Sequence, residues 1–88
     1  LIAGTGVESV RETVKLCHIA EKAGYKVAMV RTPHYYRGLL NNTAAQLTYY
    51  RAVADASPLP VLIYNFPQAT GLDITPEAVI QLSEHPNL

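Results

Sequence analysis

Three short stretches hold the residue types able to do chemistry. Gly4-Thr5-Gly6 joins two glycines to a hydroxyl. Small residues of this kind let backbone N–H groups approach an anion near the start of a helix. Thr32-Pro33-His34-Tyr35-Tyr36-Arg37-Gly38 brings phenols and a guanidinium together. A phenol donates to a carboxylate or relays protons, and Arg37 can hold a carboxylate through two parallel hydrogen bonds. Tyr64-Asn65-Phe66-Pro67 places a further phenol directly after the apolar run Val61-Leu62-Ile63. Each stretch also has a plainer explanation. The glycines can make a tight turn between strand and helix. Tyr35 and Tyr36 can pack in an interface, where tyrosine is common because it is apolar with one polar tip. Tyr64 can bond its hydroxyl to backbone. Residue types alone leave these alternatives open, and in the Tyr35 loop they favour packing.

Other chemistries find little support. A dinucleotide fingerprint G-x-G-x-x-G would need its third glycine where Ser9 stands. His18, His34 and His85 lack metal-ligand spacing, so no metal is expected. Cys17 precedes His18, but adjacent helical residues point about 100° apart, so Cys17 is read as a small core residue. Neither a Gly-x-Ser-x-Gly elbow nor a P-loop is present. Lys15, Lys22 and Lys26 lie in or after the first expected helix, away from any strand end where a catalytic amine would stand.

The elements that position these stretches follow from periodicity and punctuation. Leu1-Ile2-Ala3 is a short buried strand ending in the glycine turn. Ser9 and Glu12 form a capping-box pattern. The helix they open places Val10, Val14, Leu16, Cys17, Ala20 and Ala23 on one side, and Gly24 ends it. Val27 to Val30 is a second strand, followed by a loop from Thr32 to Asn41. Asn42 caps a helix over roughly residues 43–56, with Leu47, Tyr50, Val53 and Ala54 inward. Ser57-Pro58-Leu59-Pro60 stops it. Pro60 to Tyr64 is a third strand, Asn65 to Asp73 a loop, and Thr75-Pro76 opens a third helix.

The order is β-α-β-α-β-α. The strands are continuous apolar runs, which predicts a parallel sheet covered on both faces and joined by crossover helices. Part of a (β/α)8 barrel fits, and so does part of a doubly wound open sheet. In both, sites form at the carboxyl ends of the strands, where all three stretches lie.

The 88 residues make one small domain at most, with no internal boundary. Seven basic and seven acidic residues cancel, which argues against nucleic-acid and membrane surfaces. Hydrophobic residues form 49% of the chain, too many for disorder, and no apolar run approaches membrane-spanning length. The single cysteine suits a reducing compartment. Leu1 opens without an initiator Met, and the chain stops just after His85-Pro86-Asn87. Residues 1–88 are therefore expected to be an internal segment of a larger protein.

Ile2-Ala3-Gly4-Thr5-Gly6, Thr32-Pro33-His34-Tyr35-Tyr36-Arg37 and Tyr64-Asn65-Phe66-Pro67 with Gly71 together resemble the dihydrodipicolinate synthase / N-acetylneuraminate lyase family. The likeness runs in order over essentially the whole chain. It implies a (β/α)8 barrel, of which this would be about the third to fifth βα units. It implies class I enzymes that use pyruvate or a related 2-oxo acid, with no cofactor beyond a Schiff-base lysine. Carried over by position, Tyr64 matches the catalytic tyrosine, which contacts the pyruvyl carboxylate and moves protons. Tyr35 matches a tyrosine that reaches into a neighbouring subunit's site and completes a relay with a threonine. Gly4 and Thr5 match the substrate-side turn.

The resemblance places the lysine beyond Leu88 and the relay threonine before Leu1, so the segment alone would be inactive. Ala69 stands where lysine-pathway synthases carry a carboxylate-binding arginine. The Tyr35–Gly38 loop, Gly71-Leu72-Asp73 and His85-Pro86-Asn87 are more similar to the 4-hydroxy-2-oxoglutarate aldolase branch. The expected site therefore has Tyr64 and Tyr35 as catalytic residues, and Gly4, Thr5, Arg37 and Asn65 as substrate-binding residues. Arg37 could instead make an interface salt bridge. The expected partners are a small 2-oxo acid and further copies of the chain, as a dimer of dimers. The compartment is the cytoplasm, or the mitochondrial matrix in a eukaryote. The alternatives are half of a nucleotide-binding α/β domain, which the Val30-Arg31-Thr32 strand end disfavours because an acidic residue is needed there, and a non-catalytic (β/α) scaffold.

Overall fold

The computed structural model describes residues 1–33, 40–71 and 73–88. The order of elements is β1 (Ile2–Gly4), α1 (Val10–Lys22), β2 (Val27–Arg31), α2 (Thr43–Ala56), β3 (Val61–Tyr64), a single turn α3 (Pro67–Thr70) and α4 (Pro76–Leu82). The strands form one parallel sheet in the order β1-β2-β3. Local signals set the boundaries as expected. The side chains of Ser9, Asn42 and Thr75 cap α1, α2 and α4 by accepting from the N–H groups of Glu12, Ala45 and Ala78. Helix α1 ends at Ala23, and Gly24 turns the chain at φ 94°. The Asn65–Asp73 loop contains the unforeseen turn α3, which Pro67 opens and the left-handed Gly71 closes at φ 76°.

Alternation along the strands separates two faces. Ala28, Val30 and Val61 are buried beneath the helices. Against them pack Cys17 and Ala20 of α1, Leu47, Tyr50 and Val53 of α2, and Ala78 and Leu82 of α4. The other face carries Ile2, Val27, Gly4, Met29, Leu62, Arg31 and Tyr64, aligned in cross-strand register. There Ile2 is 55% exposed and Leu62 47%. The expectation that both faces are covered is therefore corrected: within this chain, helices cover only one. A continuous apolar strand also arises when its second face lines the interior of a barrel, where inward side chains stack in layers.

Helix α1 departs from its expected face in two places. Ala23 is exposed at the C-cap, and Thr13 is fully buried. Its inner surface is made of the small residues Thr13, Cys17 and Ala20, which let the helix lie close to the sheet. At the opposite end from the strand carboxyl termini, the Asn87 amide nitrogen donates to the carbonyls of Ala54, Ser57 and Leu59 at 3.0–3.3 Å. It ties the end of α2 to the entry of β3.

Candidate active site

The strand carboxyl ends converge on a cleft of about 250 Å³ lined by Gly4, Gly6, Met29, Arg31 and Tyr64. Tyr64 ends β3 directly opposite Arg31 at the end of β2. It is 41% exposed, and the Phe66 ring lies 5.8 Å away at a tilt of 47°. Among the described tyrosines, Tyr64 alone lines this cleft.

Arg31 also lines the cleft, and sequence reasoning missed it as a site residue. Its Nη1 donates to Glu8 Oε2 at 3.0 Å. The available signal was a cation closing an otherwise apolar strand, at the end where barrels place their chemistry. Gly6 lies against the same residue. A Cβ added there would stand 2.5 Å from the Arg31 backbone nitrogen, so this glycine is required by close approach of two backbones.

Two expected substrate-binding residues make other contacts in this structure. Thr5 is nearly fully buried, and its hydroxyl faces α1, 3.3 Å from Cys17 Sγ, rather than the cleft. Its N–H donates to the Met29 carbonyl. Thr5 lies one residue beyond Gly4, so it points to the opposite face of the sheet. Asn65 has both ends of its amide engaged. Nδ2 donates to Asp73 Oδ1 at 2.6 Å, and Oδ1 accepts from the Ile74 N–H at 3.3 Å. It braces the loop after β3. Gly4 does line the cleft, with open space where a Cβ would be. Tyr35 and Arg37 lie outside the described residues.

Helix α2 supplies two further phenols, both turned away from chemistry. The Tyr49 hydroxyl donates to the Val7 carbonyl at 3.2 Å and lies 3.2 Å from Thr13 Oγ1. The Tyr50 hydroxyl lies 2.7 Å from Thr32 Oγ1. Burial pushes both phenols above their ordinary value of 10.0, outweighing the opposing hydrogen bonds to Thr13 and Thr32. The folded chain thus holds these protons to higher pH than the unfolded chain does. Stability should be independent of these groups below pH ~10 and fall above it, by up to ~1.4 kcal/mol per pH unit for each phenol. Urea unfolding of the full-length protein between pH ~9 and ~11.5 checks this, and Tyr50→Phe should flatten the alkaline slope.

Residues 1–88 match the family model of the dihydrodipicolinate synthetase family. The chain belongs to that family. A probable mitochondrial 4-hydroxy-2-oxoglutarate aldolase from Emericella nidulans is 52% identical over 89 residues, covering 100% of this chain and 28% of that protein. An L-threo-3-deoxy-hexylosonate aldolase from Aspergillus niger is 37% identical over 89 residues, covering 100% of this chain and 27% of that protein. Pyruvate-complexed dihydrodipicolinate synthase from Acinetobacter baumannii superimposes with a TM-score of 0.89 at 36% identity, covering 99% of this chain and 29% of that one. The chain thus spans under a third of the length of these family members. Its fold is a segment of a (β/α)8 barrel, about three consecutive βα units. Nucleotide-binding sheets can share a three-strand parallel unit like this one. Likeness to dihydrodipicolinate synthase at this identity, with the family match, selects the barrel.

Proposed function

We propose that the full-length protein is a class I aldolase that forms a Schiff base with pyruvate or a related 2-oxo acid and makes or breaks a carbon–carbon bond. The observation that carries this is the open phenol of Tyr64 at the end of β3, facing a cleft that it shares with a guanidinium. In a barrel this is the end where chemistry takes place. The segment corresponds to about the third to fifth βα units. Residues 1–88 form one internal segment of a single barrel domain.

The amine comes from outside these residues. Lys15 and Lys22 lie on α1, and Lys26 precedes β2 at the end of the sheet opposite the cleft. In the proposed reaction a lysine amine condenses with the ketone of a 4-hydroxy-2-oxo acid, releasing water. The resulting iminium draws the electrons of the breaking C3–C4 bond into an enamine, while the C4 hydroxyl loses its proton and becomes an aldehyde. Tyr64 holds the pyruvyl carboxylate and moves protons. Tyr35 of a neighbouring subunit assists, which requires at least a homodimer; the assembly proposed is a dimer of dimers. Arg37 stands ready for substrate or interface.

The substrate is of the 4-hydroxy-2-oxoglutarate type rather than aspartate semialdehyde. Ala69 supplies no cation in the turn after Tyr64. Arg31 is the cation lining the cleft among the described residues, and it can take a second carboxylate. The scheme as written draws only on the lysine amine and protein side chains. No helix among the described residues is long and apolar enough to cross a membrane. We place the enzyme in the cytoplasm or, as with the Emericella nidulans relative, in the mitochondrion.

Borohydride reduction of the full-length protein with pyruvate tests the class. The expected product is a reduced pyruvyl adduct on one lysine outside residues 1–88, located by peptide mass spectrometry. A folded protein that remains unmodified overturns the proposal and favours the non-catalytic scaffold.

A further inference from the structure

The Gln46 side chain is fully buried on α2, yet its amide is committed to loops at the active end of the sheet. Its Nε2 donates to the carbonyls of Leu40 and Asp73 at 3.0 and 3.1 Å. Its Oε1 accepts from the Thr75 N–H at 2.9 Å. The Thr43 hydroxyl meets that of Thr75 at 2.6 Å, so α2 grips residues 73–75 from behind. Asn65 grips the same residues from the front, through the Asp73 carboxylate and the Ile74 N–H. Asn65 directly follows Tyr64.

We propose that Gln46, Asp73 and Asn65 form a positioning brace that fixes the backbone immediately after Tyr64 and thereby aims its phenol into the cleft. None of the three lines the cleft. They act through Tyr64, and this role rests on the proposed aldolase activity. The need for a brace follows from the burial pattern. Tyr64 is half open, so packing does not lock its ring, and its direction depends on the turn that follows. A buried amide with every bond made is a stiff anchor, because moving any partner leaves a polar group unsatisfied.

The test uses the full-length protein with Asp73→Ala and Asp73→Asn. Asp73 is exposed, so both variants should fold. Asp73→Ala removes the carboxylate that holds Asn65. It should lower kcat about tenfold, with KM within about twofold and an unchanged melting temperature, since small misplacements of a reacting group are costly. Asp73→Asn still offers an oxygen to Asn65 Nδ2 and should recover most of the loss. Deuterium exchange in peptides spanning residues 64–75 should quicken in Asp73→Ala alone. An unchanged kcat overturns the brace even if exchange quickens, because the contact is then merely structural. A loss that Asp73→Asn does not recover also overturns it, because the charge itself then matters. Pyruvate trapping on the unaltered protein keeps the two proposals apart. If nothing is trapped, the aldolase activity fails and the brace, which acts through Tyr64, falls with it; if the adduct forms and Asp73→Ala leaves kcat unchanged, the brace alone is overturned.

Discussion

Tyr64→Phe in the full-length protein should lower kcat by a factor of about 10²–10⁴, the range for losing a positioned proton-transfer group. The ring stays and only the hydroxyl is lost. That hydroxyl has no hydrogen-bond partner among the described residues, and the side chain is 41% exposed. The contact with Phe66, centroid to centroid at 5.8 Å, survives the change. Stability should therefore move by no more than ~0.5 kcal/mol, as for a surface change away from any special feature. This separation of activity from stability makes the result informative. The same change at Tyr50 would strip a buried partner from Thr32 and cost stability first. Steady-state kinetics with a 4-hydroxy-2-oxo acid, alongside thermal unfolding, make the comparison. The pyruvate adduct should still form on borohydride reduction, since the amine is not on this residue. Undiminished turnover would remove Tyr64 from the mechanism.

The contrast between Tyr64 and its buried relatives shows what the sequence can convey. Tyr64 is legible because its position is local: it follows an apolar run, and a strand end is where barrels do chemistry. Helix caps are legible for the same reason. Asn42 and Thr75-Pro76 act within a few residues, and both caps are found as expected. What depends on distant partners is not legible. Tyr49 meets Thr13 across 36 positions, Arg31 meets Glu8 across 23, and Gln46 meets Asp73 across 27. Nothing in the spacing of these pairs announces them. Thr5 shows how narrow the margin is. A single step beyond the strand end turns its side chain from the cleft to the core, and residue type gives no warning of it. Covering of the second sheet face was equally hidden, because an apolar run looks the same whether a helix or a barrel interior lies over it.

Gly6→Ala should be strongly damaging, because it adds one methyl where two backbones touch. The new carbon would stand 2.5 Å from Arg31 N, 3.2 Å from Arg31 Cγ and 3.2 Å from Val30 Cα. Backbone atoms of a central strand cannot swing aside as a long side chain can, so the turn after β1 must lift. Lifting it strains the neighbouring bond from the Thr5 N–H to the Met29 carbonyl, and shifts the wall of the cleft against Arg31. Overpacking of this kind costs about 1–3 kcal/mol. A displacement of about 1 Å at a reacting site costs a further ~10²-fold in turnover. Both losses should appear together, in urea midpoint and in kcat/KM. Gly4→Ala supplies the control, since nothing stands within 4 Å of its added carbon. It should keep wild-type stability, and any loss of activity would come from the methyl entering the cleft. Wild-type stability in Gly6→Ala would show that the turn yields freely and that the close approach does not need a glycine. The φ of Gly6 is not positive, so close approach rather than backbone conformation is what an added carbon would disturb. The glycine turn is therefore a spacing device: Gly6 lets the turn after β1 lie against the end of β2, so that Gly4 and Gly6 wall the cleft beside Arg31.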